Sequence, residues 1–280
     1  MGLITTVLLL LGGVYLFLFF FFLFFQHLFF FRPEILPSGF SYKYPFDFEE
    51  HTFEMEDGGK INSVFFKVPN SRGVIFYLKG NSRSIKGWGK FAKDFLGNGY
   101  DFFMLDYRGF GKSTGKRKEH ILYSDAQHLY KWLAEQYEES QIVVYGRSLG
   151  SGIAARVASW NRPAMLILDS PYYSFKHNIR RYLFFLPLKE ILRYQIRTDQ
   201  FLKSMKAETH IIHGDKDWLI PIDQSQKLVE IDPDKIHLYT VPGAGHNNLP
   251  DFAEYHEKLY ELMDKAVTPM TATHELDKNI

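Results

Sequence analysis

From Met1 to Phe31 the chain carries no charged side chain, and Arg32 is the first. A helix needs about 20 apolar residues to cross a bilayer, so this run predicts a transmembrane helix over residues 1–32. It is too long for the apolar stretch of a signal peptide and ends without a small-x-small cleavage pattern. An aromatic- and proline-rich linker, 33–46, follows. Beyond it, short apolar runs alternate with amphipathic ones. Strands are predicted at Ser63–Val68, Gly73–Leu78, Tyr100–Leu105, Gln141–Tyr145, Ala164–Leu168, Thr209–His213 and Ile236–Val241. Helices are predicted at Ser84–Leu96, His120–Gln136, Ser148–Ser159, Pro221–Glu230 and Phe252–Ala266. Strands apolar throughout, alternating with helices, imply a parallel sheet covered on both faces, the α/β class, over residues 47–267. The rhythm breaks once, at about 171–206, where one or two helical stretches replace a strand; a lid belongs there. Residues 268–280 read as a flexible tail.

Composition narrows the possibilities. Lys plus Arg number 33 and Asp plus Glu 32, so nothing global favours nucleic acid as a partner. With no cysteine, the chain has no disulfide, thiol nucleophile or thiolate metal site. The charges after the apolar run, Arg32 and Lys43 against Glu34, Asp47, Glu49 and Glu50, are too balanced for the positive-inside rule to assign a side.

Candidate chemistry sits at strand ends. Gly146-Arg147-Ser148-Leu149-Gly150 has the form G-x-S-x-G between an apolar strand and a small-residue helix. That context puts Ser148 on a sharp strand-to-helix turn at the carboxyl edge of the sheet, beside a helix N-terminus. A serine hydroxyl is a weak nucleophile until a base takes its proton. Of eleven histidines, His246 is the best placed, in a Gly-Ala-Gly-His loop directly after the last strand. The acid belongs between them in the chain. Asp217 is preferred to Asp215, because Pro221 starts a helix that fixes its loop, whereas Asp215 would cap the turn after Gly214. An oxyanion hole requires two backbone N–H groups, one from Leu149 and one from the Gly80-Asn81-Ser82 loop.

The segments LKGN, LDYRGFGKSTG, GRSLGSG, DSPYYSF, HGDKDWLIP and GAGHNN resemble, in order and spacing, those of the α/β-hydrolase superfamily. Within it they are similar to membrane-anchored serine hydrolases with a short lid, such as lysophospholipid and monoacylglycerol lipases and protein depalmitoylases. The resemblance covers about residues 50–265. It implies Ser148 as nucleophile, Asp217 as acid, His246 as base, the amides of Asn81 and Leu149 as oxyanion hole, and no metal or cofactor. One position departs from it: Lys79 stands where these proteins usually have histidine, a residue that looks structural. The Asp106-Tyr107-Arg108-Gly109 turn also matches and reads as a structural Arg–Asp pairing.

The activity expected is cleavage of an ester or thioester of an acyl lipid or acylated molecule. An amidase or peptidase of the same fold and a silent, membrane-tethered binding protein are the alternatives. Deleting residues 1–32 is expected to leave an active soluble domain, since every candidate site residue lies beyond them. Residues 176–206 hold eight Lys and Arg against Glu190 and Asp199, interleaved with Tyr182, Leu183, Phe184, Phe185, Leu186, Leu188, Ile191 and Leu192. That mixture suits either a solvated face over an apolar underside or an element lying on a bilayer.

Overall fold

The computed structural model describes residues 2–266; the tail expected at 268–280 lies outside them. Eight strands form one sheet: β1 Phe48–Glu54, β2 Lys60–Phe66, β3 Val74–Leu78, β4 Asp101–Leu105, β5 Ile142–Arg147, β6 Met165–Asp169, β7 Thr209–Gly214 and β8 Ile236–Val241. Their order is β1-β2-β4-β3-β5-β6-β7-β8. β1 and β2 are antiparallel to their neighbours, and the other pairs are parallel. Seven strands lie within a few residues of the runs that predict them. β1 is the exception: its FEEHTFE faces solvent at the sheet edge, so no apolar run marks it.

α4 (Glu119–Ala134) and α5 (Leu149–Trp160) share one core with the inner residues of β3, β4 and β5, while α10 (Ala253–Ala266) packs in a second core on the other face. α9 (Asp223–Val229) lies against β8. The helix expected at Ser84–Leu96 is broken into α2 (Ile85–Trp88), a 3₁₀ turn (Gly89–Ala92) and α3 (Lys93–Leu96). The Tyr44 ring lies so close to Gly89 that a Cβ there would stand 2.2 Å from it, which brings the linker hard against the break. The interval after β6 holds three short helices, α6 (Phe175–Arg180), α7 (Leu188–Ile191) and α8 (Thr198–Leu202).

The N-terminal helix α1 runs from Leu3 to Phe30, 28 residues, and is long and apolar enough to cross a membrane. At 1.5 Å per residue it is about 42 Å long, roughly 12 Å more than a bilayer's hydrocarbon thickness. The excess is docked. Phe22, Gln26 and Phe30, spaced four apart on one face, are buried with Phe31. Phe30 meets Phe175 and Tyr194 edge-on, at centroid separations of 4.6 and 6.3 Å. The Gln26 side chain donates to Ile191 O (2.9 Å) and accepts from Arg193 N (2.8 Å), closing a two-bond clasp on the lid backbone. The last turns of α1 are thus packed into the core, contacts that the expectation of a domain standing without residues 1–32 did not include. The linker is strapped down as well. Leu36 N donates to Gly111 O, and the Tyr42 and Tyr44 hydroxyls donate to Asn62 and to Ile85 O.

Candidate active site

β5 ends in a turn that few residues can make. Ser148 has φ 51° and ψ −117°, a left-handed conformation costly for a non-glycine residue. Its flanks must be bare: a Cβ on Gly146 would lie 2.5 Å from Ala154 Cβ, and one on Gly150 would lie 1.9 Å from Leu78 O. The two glycines thus let α5 and β3 close on the turn, and Ser148 N is held by Asp169 O at 2.9 Å. The result is a hydroxyl raised at the carboxyl edge of the sheet.

The three residues expected to act together meet there. Ser148 Oγ is 2.9 Å from His246 Nε2, and His246 Nδ1 is 2.7 Å from Asp217 Oδ2. Asp217 is buried and richly bonded. Oδ1 accepts from Leu219 N and Ile220 N at 2.9 and 2.8 Å, and Oδ2 also faces His213 Nε2 at 3.2 Å. Burial would raise its pKa, but the hydrogen bonds from His213 and His246 outweigh burial and hold the carboxyl well below the usual carboxylate range. An ionised acceptor makes His246 Nδ1 the donor, which leaves Nε2 free to accept from the Ser148 hydroxyl. Asp215, the other candidate, lies outside this chain of bonds, and its carboxylate does not cap the turn after Gly214 as expected: its Oδ1 accepts from Gly243 N in the loop after β8 (2.7 Å).

Sequence reasoning overlooked His213, treated there as a strand residue. Its Nδ1 lies 2.6 Å from Ser225 Oγ and its Nε2 2.8 Å from Ile220 O. With two acceptors at Nε2, the proton sits there, and Ser225 donates to Nδ1. The signal available was the His-Gly-Asp run itself, which puts an imidazole four residues before the acid. Arg147 was also unassigned. It is buried, with Nε 3.3 Å from Asp169 and Nη2 donating to His246 O at 3.3 Å, so it braces the histidine loop from behind.

Asn81 and Leu149 line one cavity of about 520 Å³ with Ser148 and His246. Neither backbone N–H has an acceptor among the described residues. The Asn81 loop is fixed by the end of α1: Arg32 N donates to Asn81 O at 2.8 Å, and Asn81 Nδ2 donates to Phe30 O at 3.0 Å. One part of the cavity wall is apolar, with Phe29 and Phe30 from α1, Trp88, Phe175 and Ile179, and another is polar, with Arg32, Arg147, Asn178 and Asn247. In the lid, Phe184 is 75% exposed, whereas Leu186, Leu188, Ile191 and Leu192 are buried. The apolar residues of the lid therefore divide between core and solvent.

Lys79 explains its own departure from the usual histidine. It is fully buried, with Nζ 3.3 Å from Asp106 and 3.9 Å from the centre of the Phe110 ring. Burial pulls its pKa down to about 8 and pushes that of Asp106 up to about 6, each opposed by the other's charge. The Arg–Asp pairing expected in the Asp106–Gly109 turn has different partners. Arg108 binds Asp125 through Nε and Nη2, both at 2.8 Å, and Asp57 through Nη1. Asp106 belongs to Lys79, and its carboxylate also accepts from Ile85 N.

A profile described as "Serine aminopeptidase, S33" matches residues 69–188. An uncharacterized Mycobacterium tuberculosis protein is 28% identical over 201 residues, 70% of this chain and 71% of its own. The lysophosphatidylserine lipase ABHD12 of Danio rerio is 28% identical over 182 residues, 58% of this chain and 48% of that protein. Among solved structures, an esterase from Pyrococcus furiosus superposes with TM-score 0.67 at 21% identity, over 84% of this chain and 97% of that one. The sheet order, the turn at Ser148 and these likenesses agree: the chain has the α/β-hydrolase fold and resembles that superfamily in sequence.

Proposed function

We propose that this hydrolase is a serine enzyme, anchored in a membrane by α1, that cleaves an ester or thioester of an acyl lipid or acylated molecule. The observation that carries the reading is the unbroken hydrogen-bond chain Ser148–His246–Asp217 opening into a cavity with an apolar side. In the proposed reaction Ser148 Oγ attacks the carbonyl carbon while His246 Nε2 takes its proton. The anionic Asp217 orients the imidazole and stabilises its cation. The N–H groups of Asn81 and Leu149 receive the oxyanion as donors already aimed at where the charge develops. His246 returns the proton to the leaving oxygen or sulfur. A water, activated by the same histidine, then releases the acyl group.

The wall built by Phe29, Phe30, Phe175 and Ile179 favours an acyl chain over a peptide. Because Phe29 and Phe30 belong to α1, a chain passing along that helix would reach Ser148 without crossing bulk water. The test is labelling of the full chain by a fluorophosphonate, followed by a screen of acyl esters, acyl thioesters and aminoacyl amides. Labelling lost in Ser148→Ala, with esters or thioesters turned over, supports the proposal. Unlabelled wild type would leave a silent binding protein, and turnover of amides alone would make the enzyme a peptidase.

A further inference from the structure

A second cavity, of about 510 Å³, lies on another flank of α1. It shares no lining residue with the cavity at Ser148. Its rim carries Lys116, Arg117, Lys118 and Arg193, and none of these four makes an ion pair among the described residues. The one carboxylate present, Glu119, is already engaged by Ile196 N and by the Tyr123 hydroxyl. Arg117 stacks on Phe31 at 4.1 Å, and its buried Nε has no acceptor among the described residues. The first turn of the 16-residue α4 opens onto the same space with no side-chain cap, adding a partial positive charge. Four cations against one carboxylate give the hollow a net positive lining, which an anion would complement.

The position of the hollow says which anion. His27 of α1 lines it, and Phe24, Phe20 and Phe17 continue the same face of the helix toward its N-terminus, all of them exposed. The helix is apolar for about 20 residues below this level, so the hollow lies at headgroup depth when α1 spans a bilayer. We propose that it binds the phosphate of an anionic phospholipid, whose acyl chains run back along the Phe17–Phe24 flank. The inference rests on α1 spanning a membrane but not on the chemistry at Ser148.

The full chain should be floated with vesicles of phosphatidylcholine alone and of phosphatidylcholine with one-fifth phosphatidylglycerol. The lipids retained after detergent extraction are then weighed by native mass spectrometry. Wild type should retain phosphatidylglycerol in preference to phosphatidylcholine. At about fivefold per cation near such a charge, Lys116→Ala with Lys118→Ala and Arg193→Ala should lower that preference about a hundredfold. Arg193→Gln alone should lower it severalfold. Removing three exposed charges elsewhere on the domain, by Lys189→Ala, Lys203→Ala and Lys206→Ala, should leave it intact. Equal retention of both lipids by wild type, or equal loss in the two triple variants, overturns the site. Displacement of phosphatidylglycerol by millimolar inorganic phosphate assigns the hollow to a soluble anion and also overturns it. Failure to float with either vesicle is a different result, and it refutes the spanning helix itself.

Discussion

Removing residues 2–32 should cost the domain most of its stability, whereas removing residues 2–18 should cost little. The longer cut takes away Phe22, Phe30 and Phe31, each buried to 4% exposure or less. At about 1.5–3 kcal/mol per buried Phe, apolar burial alone loses roughly 5–9 kcal/mol. The Gln26 clasp and the Phe30–Asn81 bond vanish too, at about 1 kcal/mol each once water replaces the missing partner. The loss is roughly 7–12 kcal/mol against a whole-domain stability of about 5–15 kcal/mol. The shorter cut ends before Phe19, the first α1 residue to pack on the core, and keeps every one of these contacts. Both truncations would be purified in detergent and compared with the full chain by thermal unfolding and by fluorophosphonate labelling. Residues 19–280 should melt within a few degrees of the full chain and label equally. Residues 33–280 should fail to give a cooperative transition or to label. A 33–280 protein that melts and labels like the full chain refutes the reasoning and makes α1 a plain tether.

Three further outcomes can be checked. Asp217→Asn should lower ester turnover by about 10⁴-fold, the loss known when a triad aspartate is replaced in trypsin, while Asp215→Asn should change it far less; turnover constants of the two variants compare them. Lys79→Met strands the Asp106 carboxylate in the core and should destabilise by about 3–5 kcal/mol, with Lys79→Met/Asp106→Asn recovering much of it because the Asn oxygen still accepts from Ile85 N; denaturant melts that give equal losses would refute the pairing. If the exposed Phe184 and the cations near it lie on a bilayer, Arg180→Glu with Arg181→Glu should weaken turnover on anionic liposomes and spare a small soluble ester; parallel effects on both substrates would leave the lid off the membrane.

What the sequence makes legible follows from where information is local. The central parallel strands are largely apolar, so composition betrays them, and Ser148 is framed by glycines that only a cramped turn demands. Asp217 separates from Asp215 because Pro221 fixes the loop between them and the next helix. β1 is invisible for the opposite reason: one face is wet, and its Glu and His residues break the pattern. His213 and Arg147 act through partners distant in the chain, Ser225, Asp169 and His246, and no local signature records that. The docking of α1 is the largest gap. Phe22 and Phe30 look like any other phenylalanine of an apolar run. Gln26, with His27 beside it, is out of character there, and its meaning rests on two lid backbone groups more than 160 residues away.

That docking also sets how the enzyme would search for substrate. A catalytic domain on a leash sweeps a volume above the bilayer and meets what dissolves there. Here the helix enters the domain without a break and is clasped on the far side of its exit, so the leash has no length. Once α1 is in a bilayer, any tilt of the helix tilts the mouth of the Ser148 cavity with it. Encounters are then confined to two dimensions, governed by lateral diffusion and by the density of molecules in that one leaflet. Molecules in a facing membrane, or free in solution, would have to come to the surface to be met at all.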